Sequence, residues 1–154
     1  MADSSRADNY EGLSPGKLCS LLGVSSVVVF DAVTSTMDEA HARGSAGAEP
    51  GTLVLAEEQT AGRGRNGRRW SSPPRGIWLT LIERPTDVAA LEVLSLRVGL
   101  AAARALDRFA PEPLRVKWPN DLYVDTSKLA GKPVEARWRG EGPEWVAISF
   151  GVNM

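Results

Sequence analysis

Gln59-Thr60-Ala61-Gly62-Arg63-Gly64-Arg65-Asn66-Gly67-Arg68-Arg69-Trp70 has neither the 3.6-residue period of a helix nor the alternation of a strand. It reads as part of a long polar loop over residues 59–74. Gly62, Gly64 and Gly67 allow tight turns and close approach of a ligand to the backbone. Arg63, Arg65, Arg68 and Arg69 are permanently charged, forked donors suited to phosphate and carboxylate. Trp70 adds a flat face on which a base could stack. A loop this charged does not pack on itself without an anion, so it is expected to order when one is bound. On composition alone a solvated basic loop, or an RG-rich segment that touches RNA, is equally open.

The segments around the loop set the fold. Residues 52–57 before it and 77–82 after it read as strands, as does the β-branched run 27–30. Thr36 and Glu39 have capping-box spacing, so a helix is expected from there to about Gly44. Ser14 as N-cap, Pro15 at the first helical position and Gly23 as the stop define a short helix. Residues 1–12 are polar and aperiodic, and are expected to form a loose tail. Downstream, Leu91, Leu94, Val98, Ala102, Ala105 and Phe109 make one apolar stripe of a long helix over about 87–109. Residues 114–118 and 122–124 read as strands joined by a turn at Pro119-Asn120-Asp121, and 134–138 with 145–152 as a final pair. Without a regular βαβ repeat, the expectation is α+β with a mixed, mainly antiparallel sheet flanked by helices. Residues 1–24 would be tail and short helix, and 25–154 one partial catalytic domain, with no repeat and no second domain.

Composition narrows the function classes. The chain has 154 residues, 43% hydrophobic and 24% charged, with a net charge of −1. That charge gives no general electrostatic affinity for nucleic acid or an anionic membrane. No apolar run nears the roughly 20 residues of a membrane span, and no signal core opens the sequence. Cys19 is the single cysteine, so no internal disulfide is possible, which fits a cytoplasmic protein. One short N-terminal helix is not a helix-turn-helix, so no DNA-binding module is expected. The sequence stops at Asn153-Met154 directly after a strong strand, a pattern expected of a truncated domain.

Two further segments carry chemistry. Lys117-Trp118-Pro119-Asn120-Asp121 ends a strand in a rigid turn and offers an amide with both donor and acceptor. Lys128-Leu129-Ala130-Gly131 follows, a point charge ahead of small residues that admit a ligand. Each alone is as ordinary as a surface lysine before a turn.

Taken in order, Ser35-Thr36, the 59–70 loop, Lys117 to Asp121, Lys128 to Gly131 with Glu135, and Gly151-Val152-Asn153 closely resemble the biotin–protein ligases. The resemblance runs from about residue 30 to 153. It implies a fold like that of class II aminoacyl-tRNA synthetases and lipoate ligases, with the C-terminal part of the catalytic domain and a small β-domain missing from this sequence. It implies ATP and Mg²⁺ as co-substrate and metal, biotin as substrate, and a biotin carboxyl carrier protein as acceptor, with no metal ligands identified. Ser35, Thr36, Gln59 and Gly62 would hold the ureido-ring end of biotin, with Arg63 also on the biotin side. Arg65 and Arg68 would take the carboxylate and phosphate region, and Lys128 the oxygens where carboxylate and α-phosphate join. These three are the implied catalytic residues. Trp70 would stack near the adenine, Asn120 would sit at the phosphates and metal, and Lys117 and Asn153 would support the nucleotide side. Neither Cys19 nor His41 has an implied role, and His41 is expected at the surface. The sequence departs from the family at Lys132-Pro133, where two aliphatic residues are usual, and at Ser149, near which a glycine is common. A lipoate ligase of the same fold, or an inactive or biotin-binding fragment, are the competing readings.

Overall fold

Strands β2 (Ser26–Val33) and β3 (Thr52–Gln59) show why the sheet is covered on both sides. Val28, Phe30, Val54 and Ala56 point to one buried cluster and Val27, Val29, Leu53 and Leu55 to another. With period-two alternation, a strand buried on both faces reads as a continuous apolar run, and these do. The computed structural model describes residues 4–153, except for the side chain of Arg65.

Among the described residues the strands form one open sheet. The remaining members are β1 (Ser5–Ala7), β4 (Ile77–Glu83), β5 (Arg115–Lys117), β6 (Asp121–Val124), β7 (Ser127–Gly131), β8 (Val134–Arg139) and β9 (Gly142–Val152). Their order is β1-β2-β3-β4-β9-β7-β6-β5, with β8 also paired to β9. Only β2 with β3 is parallel; the other pairs are antiparallel. The expected mixed, mainly antiparallel α+β sheet is what forms.

Helix α1 (Pro15–Leu22) packs Leu18 against the Val27–Leu53 face. Ser14 caps it and Gly23 ends it in the left-handed region, as the sequence indicated. Helix α2 (Thr36–Ser45) packs Met37 and Ala40 on the opposite face, with Ile82, Trp145 and Ala147. Helix α4 (Leu94–Leu106) lies on the α1 side, where Ala103 meets Leu122, Ala130 and Val152. No helix among the described residues is long and apolar enough to cross a membrane.

Four local expectations need correction. The supposed loose tail contains β1, antiparallel to β2, with Ala7 and Tyr10 packed on the α1 cluster. The cap of α2 is Ser35, whose hydroxyl accepts from the Asp38 N–H, so Thr36 is the first helical residue rather than the cap. The long helix breaks at Val93 into α3 (Val88–Glu92) and α4, and its last turn (Asp107–Phe109) is 3-10. Its inward stripe is also rotated. Gly99 and Ala103 are the buried positions, whereas Ala105 faces solvent and Phe109 is 72% exposed. A periodicity count cannot see a one-residue kink, and the small residues Ser95, Gly99 and Ala103 score poorly as apolar although they face the sheet. Residues 127–131, read only as a lysine followed by small residues, are strand β7, which returns from β6 through a turn with Asp125 at φ 49°.

The Lys132-Pro133 pair separates β7 from β8 without shifting their alignment on β9. Ala130↔Val152 and Gly131↔Gly151 on one side and Val134↔Ile148 on the other keep the same offset, and the Ser149 N–H donates to the Pro133 carbonyl at 2.9 Å. Side chains alternate across this run, so Lys132 shares the α4 face with Ala130.

Candidate functional site

On the α2 face a cleft of about 380 Å³ opens between the start of α2, the arginine loop and strands β7 and β9. Its floor includes Gly131, Ser149 and Gly151. Ser35 and Gln59 line it, as do Arg63, Arg68, Arg69 and Trp70 from the loop, and Asn120, Asp121 and Lys128 from the β5–β6 turn and β7. The turn contains a cis Trp118–Pro119 bond.

Behind the floor runs a relay of hydroxyl and amide groups. Gln59 Oε1 accepts from the Thr36 N–H at 2.8 Å and from Thr36 Oγ1 at 3.0 Å, while Gln59 Nε2 donates to Ser72 Oγ at 2.8 Å. Thr80 Oγ1 lies 2.9 Å from Thr36 Oγ1 and 3.1 Å from Ser149 Oγ. Ser35, Thr36, Ser72 and Thr80 are all buried. Buried polar groups are tolerable only when paired; Thr36, Ser72 and Thr80 find partners within the relay, and the Ser35 hydroxyl accepts from the Asp38 N–H. Gly62 belongs to this back wall rather than to the cleft surface. A Cβ there would lie 2.6 Å from both Ser72 Oγ and the Trp70 carbonyl oxygen, so the close approach requires glycine.

The mouth is cationic. Arg63, Arg68, Arg69 and Lys128 line it against one carboxylate, Asp121. Lys128 Nζ is 2.8 Å from Asp121 Oδ1 and 4.7 Å from the centre of the Trp70 ring. Arg63 pairs with Asp38 at 2.7 Å, but both side chains are nearly half exposed. Such a pair is worth at most about 1 kcal/mol, so an incoming anion can compete for Arg63. The loop turns through a short 3-10 segment at Arg65–Gly67, with Asn66 at φ 57°. The Gly64 N–H bonds to Arg68 O and the Trp70 N–H to Gly62 O. Trp70 Nε1 is buried without an acceptor among the described residues, a donor that a ligand at the cleft could satisfy.

Of the residues singled out from sequence, Ser35, Gln59, Arg63, Arg68, Trp70, Asn120 and Lys128 line the cleft together, with Thr36 and Gly62 directly behind. The Arg65 side chain lies outside the described residues. Lys117 and Asn153 do not reach the cleft: Lys117 is exposed with Nζ 5.2 Å above the Tyr123 ring, and exposed Asn153 donates its backbone N–H to Leu129 O. His41 is not a surface residue. Its side chain is 11% exposed, its Nε2 lies 2.9 Å from Glu135 Oε2, and its Nδ1 accepts from Trp145 Nε1 at 3.1 Å. Burial lowers its pKa, and the Glu135 hydrogen bond opposes that shift. Ser72 was not picked out from sequence, and Asp121, Arg69 and Ser149 were named there only within their segments, without an individual role; all but Ser72 line the cleft.

An open mixed sheet with a hydroxyl-lined end and a cationic, glycine-jointed mouth defines a site for a ligand that is neutral and polar at one end and anionic at the other. Residues 29–153 match the Biotin/lipoate A/B protein ligase family, and the chain belongs to that family. It is 35% identical over 127 residues to the bifunctional ligase/repressor BirA of Bacillus spizizenii, covering 80% of this chain and 39% of that protein. The biotin protein ligase of Aquifex aeolicus in complex with biotin and ATP superposes with a TM-score of 0.70 at 29% identity, over 82% of this chain and 51% of that one. The Leishmania major ligase in complex with biotinyl-5-AMP gives a TM-score of 0.69 at 30% identity, over 83% and 57%. The chain thus spans about 39% of the length of the curated relative and just over half of these structures.

Proposed function

We propose that this domain activates biotin with ATP to form biotinyl-5′-AMP and serves its transfer to a lysine of a biotin carboxyl carrier protein. The observation that carries this reading is the polarity of the cleft, closed at one end by Ser35 and the Thr36–Gln59 pair and bordered at the other by Arg63, Arg68 and Lys128. The structures in complex with biotin and ATP and with biotinyl-5-AMP that share this fold support the same reading.

In the first step a biotin carboxylate oxygen forms a bond to the α-phosphorus, the bond to the β-phosphate oxygen breaks, and pyrophosphate leaves. Both reactants are anions. The chain's task is therefore to offset their repulsion and stabilise the charge that builds on the phosphoryl oxygens. Lys128, held between Asp121 and the Trp70 face, would meet those oxygens, with Arg68 and Arg65 of the loop as further donors. Holding the reactants in line supplies much of the remainder. Mg²⁺ would arrive with the ATP phosphates and neutralise part of their charge. The described residues contain no group of three or more His, Cys, Asp or Glu able to hold it without them, and Asn120 and Asp121, which line the cleft, would be its protein oxygen ligands. In the second step the carrier's lysine amine attacks the acyl carbon, the carbon–oxygen bond to AMP breaks, and the amine's proton passes to solvent. No enzyme nucleophile is required, and ordering of the arginine loop over the adenylate would keep water from hydrolysing it.

The test is adenylate formation by the 154-residue chain from biotin, ATP and Mg²⁺, with lipoate as the competing acid. Biotin-dependent adenylate is the expected product. Adenylate from lipoate in preference to biotin would replace the substrate, and none from either acid would overturn the activity for this chain.

A further inference from the structure

Lys132 is fully buried, yet its charged end is not stranded. It projects to the α4 face, opposite the cleft whose edge its backbone lines. There its Nζ donates to the carbonyl oxygens of Ser95 and Pro119 and lies 3.2 Å from Ser95 Oγ. An ammonium has three donors, and three acceptors surround this one. The Lys132 backbone N–H donates to Asn120 O at 2.7 Å. Ser95 Oγ in turn donates to Pro119 O at 2.6 Å and lies 3.2 Å from Asn120 Oδ1. One lysine thus ties helix α4 to the turn that carries Asn120, through backbone and side chain together.

A second position is shaped around it. Gly99 is a buried mid-helix glycine, where glycine costs about 1 kcal/mol relative to alanine. A Cβ at Gly99 would lie 2.3 Å from Lys132 Cε and 2.9 Å from Nζ. The helix leaves out a side chain where the lysine stem passes. Burial pushes the Lys132 pKa down, and the charge of Asp121 opposes that shift. Burying an ammonium is expensive even when it is hydrogen-bonded, so an aliphatic residue there would serve stability at least as well.

We propose that Lys132 is a positioning residue for the nucleotide half of the site. Working from behind the sheet, its ammonium pins the Pro119–Asn120 turn to α4. That fixes where Asn120, and Lys128 through its Asp121 partner, meet the ATP phosphates. The assignment rests on the adenylation reading given above, while the clamp itself is a property of the folded chain.

The experiment compares the full chain with Lys132→Met, which keeps the stem and removes the charge, and with Gly99→Ala, which displaces the lysine. Biotin and MgATP affinities are measured separately by calorimetry. Lysine side-chain ¹⁵N–¹H spectra follow the ammonium groups, and backbone spectra follow the turn. The wild-type chain is expected to show a solvent-protected ammonium signal that Lys132→Met removes. Both variants should shift the Asn120 and Asp121 resonances and weaken MgATP by at least about tenfold, with biotin affinity changed less than about twofold. Equal loss of both ligands with a fall in thermal stability would reduce Lys132 to a structural role and overturn the proposal. So would unchanged MgATP affinity in folded Lys132→Met, or a wild-type chain lacking the protected signal. A wild-type chain that binds neither ligand but shows the protected signal and the turn shifts would refute the ligase reading while sustaining the clamp.

Discussion

Replacing Gln59 with leucine removes the amide at the centre of the relay while nearly preserving volume, so little cavity term enters. Three hydrogen bonds disappear: two into Oε1 from the Thr36 N–H and hydroxyl, and one from Nε2 to Ser72 Oγ. The hydroxyls of Thr36 and Ser72 keep other neighbours, Thr80 Oγ1 and the Trp70 carbonyl. The Thr36 N–H does not. It is one of the first N–H groups of α2, which no helical carbonyl reaches, and Thr36 is only 1% exposed, so water cannot replace the lost acceptor. An orphaned buried donor costs about 1–3 kcal/mol, and the other two bonds about 0.5–1.5 kcal/mol each before their partners relax. The expected loss is about 2–3 kcal/mol, which for a domain of this size lowers Tm by roughly 5–10 °C. Urea and thermal unfolding measure it. Gln59→Glu keeps oxygen acceptors for Thr36 and should lose less than Gln59→Leu. A Gln59→Leu loss below about 0.5 kcal/mol, or equal losses for the two variants, would refute the argument that the Thr36 N–H depends on this side chain.

Three other outcomes are expected. A Cβ at Gly44 would lie 2.6 Å from Trp145 Nε1, so Gly44→Ala should displace the indole from His41 at about 1–3 kcal/mol, seen as a stability loss with altered tryptophan fluorescence. The folded-state pKa of His41 is depressed below its ordinary 6.5. The unfolded chain therefore binds more protons below that pH, and the stability contribution is full above 6.5 and lost as pH falls through the folded value. His41→Gln should flatten that part of the stability–pH curve, and parallel curves for the two proteins would dismiss His41 as its source. Lys128→Ala should reduce the rate of adenylate formation by about 10²–10³, as loss of one preorganised donor does elsewhere; turnover near wild type in a single-turnover assay would remove Lys128 from the chemistry.

Much of the site could be read from residue order because its parts are local. The Arg63–Trp70 loop and the Asn120 turn are short, and their glycines and proline announce special backbone. What stayed hidden depends on tertiary pairing. Lys132 read as a charge misplaced in a buried strand, since its acceptors on Ser95 and Pro119 lie 37 and 13 residues away. His41 read as a surface residue because its partners Glu135 and Trp145 come from strands β8 and β9. Lys117 lies in a recognisable motif, yet its position in β5 sends its side chain to Tyr123 rather than to the cleft. The break at Val93 escaped because apolar spacing continues across it.

The pairing of β4 with β9 joins Ile77 to Val152 and Trp78 to Gly151. Strand β9 supplies the cleft floor at Ser149 and Gly151, some 70 residues after the strand it docks beside. During synthesis the arginine loop therefore leaves the ribosome long before its floor exists. Until β9 arrives, the β4 edge stays unpaired, a template for wrong strands. A nascent chain halted before residue 149 would have made every arginine of the loop without the Ser149 and Gly151 floor of the cleft.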